Sequence, residues 1–304
     1  MLDAFSSPGR FWRGNLHGHS TVSDGEASVE DVCRRYEAEG YDFICLSDHF
    51  MERFGFQIAD TKPYRSNAFS TLIGAEIHAP QTSQGQAWHI LAVGLPEDFP
   101  ATPPGETGPE LARRAAEAGA FVAIAHPHLS GLDIDDILSI DTAHAIEVYN
   151  HTAAIRYGRG FGDVAWDAAL QAGRRLGGIA VDDSHFRTGQ EAGAMDGFGG
   201  WVMVKAEDAG PETLREALKA GQYYASTGPT IEDVTRDGDT LTVRCSPAAQ
   251  IIVLGNVGKA RHLDGTAITN AALPLDRFEE GWRRVVVRDR EGRQAWTNTL
   301  WVND

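Results

Sequence analysis

Cysteine is scarce in this sequence, which has three cysteines in 304 residues. Cys33, Cys45 and Cys245 lie far apart, and each is embedded in an apolar stretch. Such cysteines are typical of small buried side chains, and their spacing argues against a disulfide framework or a thiolate metal site. A reducing, cytoplasmic location is the simplest expectation.

Long apolar runs and an excess of positive charge are also missing. No stretch approaches the roughly 18 apolar residues that a membrane span requires, and the first residues lack the basic and apolar segments of an export signal. The 27 lysines and arginines are outnumbered by 43 acidic residues, which gives a formal net charge of -16. We therefore expect no membrane association and no long nucleic acid as the main substrate, although a metal cluster can reverse the charge locally.

Patterns for covalent catalysis are missing as well. SxxK-like and GxSxG-like motifs are absent, and no serine or cysteine stands beside a histidine in an arrangement that requires a covalent intermediate. Instead, most apolar runs of the first three quarters end in residues that bind metals. In chain order these are His17 and His19, Asp48 and His49, Glu76, His126, Asn150, and Asp183 and His185. Because barrel enzymes carry their chemistry at the carboxyl ends of strands, this pattern predicts a metal site assembled strand by strand.

The order of the apolar patterns predicts the fold. Short β-rich runs alternate with helical patterns over residues 1–227, which indicates an α/β barrel domain with about seven strands. The segment 50–70 interrupts the alternation and is expected to be a lid or substrate loop. Four helices are expected, over residues 28–38, 109–118, 164–172 and 211–220.

After residue 229 the pattern changes to strands only. The runs TLTVRC, QIIVLG, RRVVVRD and AWTNTLWV are separated by turns that contain glycine and aspartate. Residues 228–304 are therefore expected to form a small all-β, sandwich-like domain, with Trp282, Trp296 and Trp301 in its core. The sequence leaves open whether this domain binds a second copy of itself to form a homo-oligomer.

The spacing of the metal-binding residues favours some over their neighbours. His17 and His19 are two residues apart, so strand geometry allows both rings to share an ion. Asp183 and His185 repeat this spacing. Asp183 is preferred over Asp182 because alternation places Asp182 on the other face. Each pair is expected to contribute to the metal site.

The remaining candidates are single residues at turns and strand ends. Asp24 lies in a turn, and Glu76, which closes TLIGAE, is the natural bridge between two ions because a buried carboxylate needs cations. Asp48 is at least as suited to capping a helix or orienting an imidazole as to binding metal. His126 is favoured as a ligand, and His128 as a substrate contact or proton donor.

In this order, HGHSTVSDG, LSDH, the isolated Glu76, AHP and DDSH resemble the motifs of the PHP (polymerase and histidinol phosphatase) superfamily over roughly residues 12 to 190. The resemblance implies a distorted (β/α)7 TIM-like barrel that holds two or three Mn, Fe or Zn ions and usually hydrolyses phosphoesters. Carried over to this sequence, one ion would be held by His17, His19, Glu76 and Asp183. Glu76 would bridge to a second ion that also uses His126. The residues for a further ion would be Asp24, His49 and His185.

The sequence departs from the superfamily at one position. Members with three metals often have a histidine just after the strand that matches WHILAVGL, where this chain has Leu95 and Pro96. His89 lies too early in that strand to be assigned as its replacement, and His78 is expected to form hydrogen bonds. A two-metal centre or a loosely held third ion therefore stays open. FWRGNLHGHSTVSDG, YYASTGP and AWTN resemble the carbaryl hydrolase-like branch, which widens the expected chemistry.

The expected reaction is hydrolysis of a small phosphate ester, either a monoester or a diester. Ions that share Glu76 would generate a bridging hydroxide as the nucleophile. Arg187 is the best-placed cation for a phosphoryl oxygen, and His128 and His151 are the candidate catalytic acids for the leaving group. Weaker candidates for anion binding are Arg53, Lys62, Arg65 and Arg156.

Two other functions stay open. The same ions could polarise the carbonyl of a carbamate or amide in a more apolar pocket, with few cations near the metals and with Phe50, Phe54 and Phe56 as lining. The chain could instead be a non-catalytic metal-binding module that interacts through its β-rich end.

Overall fold

The computed structural model describes residues 4–187, 195–256 and 258–302. Within these ranges the chain combines a large sheet with helices, which confirms the predicted α/β class. The strands are β1 (Arg10–Asn15), β2 (Phe43–Leu46), β3 (His49–Phe50), β4 (Ser70–Ala79), β5 (Trp88–Val93), β6 (Phe121–Ile124), β7 (Ala145–Asn150), β8 (Gly177–Val181), β9 (Trp201–Ala206), β10 (Tyr223–Ser226), β11 (Ile231–Asp237), β12 (Thr240–Gly255), β13 (Ala260–Pro274), β14 (Trp282–Arg288), β15 (Gln294–Thr297) and β16 (Leu300–Trp301). The helices are α1 (Val29–Ala38), α2 (Gly108–Glu117), α3 (Ile134–Ser139), α4 (His151–Tyr157), α5 (Asp163–Gln171) and α6 (Pro211–Lys219).

The four predicted helices correspond to α1, α2, α5 and α6, with bounds that agree closely. In α1, Ser28 accepts a hydrogen bond from the amide of Asp31, and one face of the helix is buried. In α2, Thr107 and Glu110 form a capping box. The sequence does not predict the short helices α3 and α4, because their 6 and 7 residues show too little periodicity.

The strands form a hydrogen-bonded path in the order β11-β12-β14-β15-β10-β9-β1-β2-β4-β5-β6-β7-β8. Beside this path, β13 pairs with β12, β16 with β14, and β3 with β4. The closed barrel that the sequence predicts is not confirmed, because in the described ranges the path has two ends, β11 and β8. A single bridge between Gly18 and Ser184 joins the segments that follow β1 and β8.

Strand direction explains why the candidate ligands meet. β1, β2 and β4 run parallel, as do β6, β7 and β8, whereas β5 runs antiparallel to both of its neighbours. Strand direction reverses between β4 and β5 and again between β5 and β6. The other six strands therefore all run in the same direction. Their carboxyl ends therefore lie at one edge of the sheet, together with the amino end of β5. Most of the predicted ligands lie at or just after these strand ends.

The segment 50–70, expected to be a lid, is partly anchored in the core. Phe50 is buried and packs against Phe56 and Phe99, and Phe69 is buried in a different cluster of the core. Two single-turn 3-10 helices lie between these anchors. A closing motion of this segment stays a prediction.

The described chain after Ser226 contains strands and no helix, as the sequence predicts. TLTVRC and QIIVLG, expected as two strands, are joined in β12, whose pairing with β13 shifts register twice. The sequence does not predict β11 or β13. Trp282 and Trp296 are buried as expected, and Trp301 is half-buried. β15 pairs with β10, so the hydrogen-bonded path runs across the predicted boundary at residue 228, and the division into two domains stays a prediction.

All three cysteines are buried free thiols, as the sequence predicts. Burial raises the pKa of Cys33 to about 12 and that of Cys245 to about 11, so neither thiol is a nucleophile at neutral pH. Across the described residues, no helix combines the length and the apolarity needed to cross a membrane. The cytoplasmic location stays a prediction.

Candidate metal centre

The eight residues that the sequence assigns to metal binding converge at one edge of the sheet. Their side chains form overlapping groups, and within each group the nitrogen and oxygen atoms lie within 4.8 Å of one another. The groups are His17/His19/Glu76, His17/His126/Asp183, His19/Asp24/His49/His185 and His49/Glu76/His78/His89. They include all eight candidates, together with His78 and His89. Because the groups overlap, the cluster could hold more than one ion.

The first position lies between the ends of β1 and β8 and the middle of β4. His17 Nε2 lies 3.3 Å from Asp183 Oδ1 and 3.6 Å from Glu76 Oε2, and His19 Nε2 lies 3.0 and 3.7 Å from the same two atoms. Ligands bound about 2.0 to 2.2 Å from a tetrahedral ion are separated by about 3.3 to 3.6 Å. The observed separations are close to this spacing, so one divalent ion fits among the four side chains with only small shifts.

Glu76 faces a second position with its other oxygen. Oε1 lies 2.6 Å from His89 Nδ1 and 3.2 Å from His126 Nε2. From the sequence, His89 lies too early in its strand to be assigned as the replacement for the histidine that three-metal members carry. Because β5 runs antiparallel to β4, however, the start of β5 meets the end of β4, and His89 pairs with His78 across the ladder. The direction of one strand therefore decides the position of a candidate ligand.

A third, more exposed group contains the residues that the resemblance assigns to a further ion. Asp24 Oδ1 lies 3.4 Å from both His49 Nε2 and His185 Nε2. The His185 ring also lies against the ring of His19, with 4.3 Å between centroids. His185 Nδ1 lies 2.9 Å from the backbone carbonyl of Asp183, which can only accept a hydrogen bond. His185 therefore donates through Nδ1 and directs the lone pair of Nε2 toward Asp24.

Glu147, in β7, orients several candidate ligands. Its side chain is buried, and Oε1 accepts a hydrogen bond from His17 Nδ1 at 2.7 Å. Oε2 accepts from the backbone amide of His126 at 2.7 Å and from Asn150 Nδ2 at 2.9 Å. Since a carboxylate only accepts, His17 carries its proton on Nδ1 and presents the lone pair of Nε2 to the first position. The sequence reasoning missed Glu147, although a glutamate inside the apolar run AIEVYN is a signal for such a role.

His78 orients His49 in the same way. His78 Nδ1 lies 3.0 Å from the carbonyl of Trp88, so Nδ1 donates and Nε2 is left as an acceptor. His78 Nε2 in turn lies 2.8 Å from His49 Nδ1. His49 therefore carries its proton on Nδ1 and directs the lone pair of Nε2 toward Asp24. This geometry agrees with the hydrogen-bonding role expected for His78.

Three buried atoms of the cluster make no hydrogen bond of normal geometry within the described residues, namely His17 Nε2, Asp24 Oδ1 and Glu76 Oε2, although His49 Nδ1 lies 2.6 Å from Glu76 Oε2. A buried polar atom without a partner costs about 1 to 3 kcal/mol, and more when the group is charged. All three atoms face other candidate ligands. Divalent cations between them would supply the missing partners, so the donor set fits such ions. A mixture of imidazoles and carboxylates without thiolates suits Mn, Fe or Zn.

The two shared carboxylates and His19 have protonation states that fit metal binding. Burial alone would raise the pKa of Glu76, but His89, His49 and His17 lower it well below its usual range. Burial likewise acts to raise the pKa of Asp183, and His17 and His19 outweigh it. Burial and His49 lower the pKa of His19 to about 4. At neutral pH both carboxylates are therefore ionised and His19 is neutral, as ligands must be. In four other histidines burial acts to lower the pKa but neighbouring carboxylates raise it, so these rings would release protons when an ion binds, namely His17, His49, His126 and His185.

Two aspartates next to the candidate ligands in sequence accept hydrogen bonds from loops and do not join the metal-binding groups that the described residues form. Asp48 accepts four hydrogen bonds from two serines of the loop after β1. Asp182 accepts from the hydroxyl of Tyr36 at 2.7 Å and from the backbone amides of residues 198–200 at 2.8 Å. Neither carboxylate belongs to a candidate metal group within the described ranges. This agrees with the preference for Asp183 over Asp182. For Asp48 the sequence favoured a helix cap or a partner of an imidazole as strongly as a ligand, whereas its described hydrogen bonds go to the serine loop.

Two candidate ligands have backbone conformations that side chains rarely adopt. His126 has a φ of 23° and Asp183 a φ of 57°. Such conformations cost free energy and persist where the surroundings hold them. The amide of His126 donates to Glu147, and the amide of Asp183 donates to the carbonyl of His17 at 2.9 Å. The fold therefore holds strained backbone at two positions of the cluster, as is common at functional sites.

A cavity of about 200 Å³ opens beside the cluster. Its walls include six candidate ligands and two arginines, Arg156 and Arg187. Arg187 Nη2 lies 3.8 Å from Asp24 Oδ2, and Arg156 Nη2 lies 3.3 Å from Asp196 Oδ2. Of the three predicted catalytic residues, Arg187 is thus the one that the fold brings to the cavity.

The two candidate acids lie elsewhere. His128 is exposed and lines an apolar groove beside α3 and α5, because the tight turn after His126 carries it away. His151 Nδ1 lies 3.0 Å from the hydroxyl of Tyr149, and Nε2 lies 3.2 Å from the carbonyl of Met195. Among the described residues, neither ring lines the cavity beside the cluster.

The segment 50–70 contributes little to this cavity. Its cations are engaged elsewhere, since Arg53 stacks on Phe54, Lys62 pairs with Glu97, and Arg65 donates to the carbonyl of Thr71. Phe50 and Phe56 pack against each other and do not line the cavity walls that the structure describes, and the ring of Phe54 lies 6.0 Å from that of His49. The apolar lining expected for a carbamate hydrolase is therefore not found in the described walls of the cavity.

Neither a protein-family model nor a curated protein sequence matches this chain. Among solved structures, it is similar to a two-domain protein from Bacteroides vulgatus that contains a predicted PHP-like metal-dependent phosphoesterase. The identity is 16%, the TM-score is 0.51, and the match covers 99% of both chains. This similarity shows a shared fold along the whole chain.

Two shorter matches are weaker. One is a candidate metal-dependent phosphoesterase from Bifidobacterium adolescentis, with 13% identity and a TM-score of 0.42 over 60% of this chain and 91% of that one. The other is an amidohydrolase from Chromobacterium violaceum with bound sulfate and no metal. The identity is 16% and the TM-score is 0.39, and the match covers 57% of this chain and 87% of that one. At these TM-scores they carry no argument here.

Proposed function

We propose that this protein is a metal-dependent phosphoesterase of the PHP superfamily that hydrolyses a small phosphate ester. The observation that carries the proposal is the convergence of eight predicted ligands in overlapping groups, in which three buried atoms without a hydrogen bond in the described chain each face other candidate ligands. The fold shared with a protein that contains a PHP-like phosphoesterase is consistent with it. We retain the barrel of residues 1–227, the β domain of residues 228–304 and the carbaryl hydrolase-like branch as proposals.

Two or three divalent ions are part of this proposal. The first ion is assigned to His17, His19, Glu76 and Asp183. The second is assigned to Glu76, His89 and His126, in which His89 is added to the set from the sequence. A third is assigned to Asp24, His49 and His185. Mn, Fe or Zn bound here would supply positive charge for the phosphoryl oxygens and hydroxide at neutral pH.

The side chains of the protein bind and orient the substrate. Arg187, about half exposed, lines the cavity, and Arg156 lines it as well. Guanidinium groups bind phosphoryl oxygens through charge-assisted hydrogen bonds. Glu147 and His78 keep His17 and His49 in the tautomers that ligation needs. Proton donation by His128 or His151 stays a prediction.

The two arginines favour a phosphate ester over a carbamate. A carbamate hydrolase was expected to have few cations near the metals and an apolar pocket, whereas the described cavity walls contain two guanidinium groups and none of the predicted phenylalanines. The test described next has two other outcomes: hydrolysis of a carbamate or amide, and metal binding without catalysis.

The test is hydrolysis by metal-reconstituted protein of p-nitrophenyl phosphate, bis-p-nitrophenyl phosphate and p-nitrophenyl carbamate, with His17→Ala as the blank. We expect turnover of a phosphate ester that is lost in His17→Ala. Carbamate turnover with both phosphates inert would move the assignment to the carbaryl hydrolase-like chemistry. Binding of metal without turnover of any ester would favour the non-catalytic module.

A further inference from the structure

A second cavity, of about 650 Å³, adjoins the one beside the cluster. The two cavities share His89, His126 and Leu129 in their walls, so they meet at the second metal position. Small-molecule sites typically enclose about 300 to 1,000 Å³. The first cavity, of about 200 Å³, is below this range and the second lies within it. The larger cavity therefore offers space for the part of a substrate that extends beyond the reacting group.

The wall of this larger cavity is mostly polar and is held by the fold. The β4–β5 turn, which presents Gln84 and Gln86, is closed by a hydrogen bond of 2.7 Å between the Thr82 amide and the Gln86 carbonyl. Ser83 ties the same turn to two carboxylates at the start of α3, with distances of 2.7 to 2.9 Å. On the opposite wall, Ser130 Oγ lies 2.8 Å from the ring of the neighbouring candidate ligand His126. A preformed wall loses little freedom when a ligand binds.

Arg159 supplies positive charge to the larger cavity. Its amide donates to the carbonyl of Ala153 at 3.0 Å, which fixes its backbone directly after α4. Its side chain is exposed in the cavity wall and makes no ion pair or hydrogen bond in the part of the chain that the structure describes. Arg156 and Arg187, in contrast, lie close to Asp196 and Asp24.

The charge of Arg159 selects the kind of ligand. In a protein with a formal net charge of -16, an arginine that has no carboxylate partner among the described residues attracts anions locally. The glutamine amides and the serine hydroxyl in the same wall favour polar groups over apolar ones. A ligand that fills this cavity is therefore expected to be polar and to carry negative charge at the end remote from the metals.

We propose that the larger cavity receives the leaving alcohol of the substrate, and that this alcohol carries a second anionic group, a carboxylate or a phosphate, that Arg159 binds. The inference rests on the proposed phosphoesterase function. The phosphoryl group would lie beside the metals and Arg187, with its ester oxygen directed to the junction at His89 and His126. Water adds to phosphorus, the P–O bond to the alcohol breaks, and a proton from that water goes to the departing oxygen, so no other reactant is needed.

The test uses three esters of one carbon chain that differ only at the far end. They are the monophosphates of propane-1,3-diol and of 3-hydroxypropanoate, and the bisphosphate of propane-1,3-diol, with initial release of inorganic phosphate as the readout. p-Nitrophenyl phosphate reports the basal reaction. The variants are Arg159→Gln, Arg159→Lys, and Arg290→Gln as a matched control at an exposed arginine of the β14–β15 turn.

We expect wild-type kcat/KM to be higher for at least one of the two charged esters than for the neutral one. Arg159→Gln should lower the ratio of charged to neutral kcat/KM by about fivefold, the scale of one exposed ion pair, and mainly through KM. Arg159→Lys should restore part of the ratio, and Arg290→Gln should not change it. The charged ester whose kcat/KM falls in Arg159→Gln shows whether the cavity prefers a carboxylate or a phosphate.

Two results would overturn the inference. If p-nitrophenyl phosphate is hydrolysed but the three esters are inert, or show the same ratio in wild type and Arg159→Gln, the inference fails and the phosphoesterase function stands. If no phosphate ester is hydrolysed at all, both fail together.

Discussion

Replacement of Glu147 by glutamine tests the orientation of the cluster most sharply. The carboxylate accepts from the His17 ring with one oxygen, and from the His126 amide and Asn150 with the other. Glutamine keeps the shape but turns one acceptor into a donor. If its NH2 faced the His126 amide and Asn150, two donors would oppose it. The less costly arrangement places the NH2 against His17, which must then move its proton from Nδ1 to Nε2.

That tautomer change removes the lone pair that His17 presents to the first metal position. Substitutions that remove such an orienting partner typically weaken metal affinity about 10- to 100-fold, which is about 1.4 to 2.7 kcal/mol. We therefore expect Glu147→Gln to bind the first equivalent of Zn that much more weakly, in competition titrations with a chromophoric chelator. Glu117→Gln, at an exposed carboxylate of α2, is the matched control.

A second readout separates orientation from misfolding. Burial acts to lower the pKa of His17, but Asp183, Glu147 and Glu76 raise it, so the ring is first titrated to its neutral form. Nitrogen NMR of the metal-free protein above that pKa should show the Nδ1–H tautomer of His17 in wild type and the Nε2–H tautomer in Glu147→Gln, with unchanged circular dichroism. A folded variant with wild-type zinc affinity and an unchanged His17 tautomer would refute the reasoning.

Three further predictions follow from the same geometry. His89→Ala should lower the metal content after dialysis by about one equivalent, because only Glu76 and His126 would then remain at the second position; unchanged content by elemental analysis would exclude His89 as a ligand. Asp182→Asn should lower the free energy of unfolding of the metal-free protein by about 1 to 3 kcal/mol in urea, because the side chain can no longer accept from both Tyr36 and the amides of residues 198–200; a wild-type midpoint would contradict this. Removal of metal by a chelator should lower the Tm by about 4 °C for each ion that is present at about 100 times its Kd, and a Tm insensitive to chelator would argue against stabilising ions.

The sequence predicts much of the cluster because the chemistry lies where strands end. His17, His126 and Asp183 follow short apolar runs, and parallel strands bring such positions to one edge whatever their order along the chain. The two-residue spacing of His17 and His19 is equally informative, since both rings face Asp183 in the structure. These features depend on local pattern alone.

The residues that the sequence does not assign depend on information that is not local. His89 is a candidate ligand because β5 runs antiparallel, and its direction cannot be read from WHILAVGL itself. The positions of His128 and His151 depend on how the chain turns after His126 and at the start of α4. Predicting that a histidine beyond a strand end faces the site therefore fails where a tight turn intervenes. The same limit applies to β12, in which two predicted strands are one.

The central claim is that Glu76 joins two metal positions, and metal content tests it most directly. We would measure bound Mn, Fe and Zn by elemental analysis in wild type, Glu76→Gln and the control Glu117→Gln after identical reconstitution and dialysis. The account predicts two or three equivalents in wild type and the control, and a loss of about two in a folded Glu76→Gln variant. Wild-type protein that retains no metal, or Glu76→Gln with the full content, would contradict it.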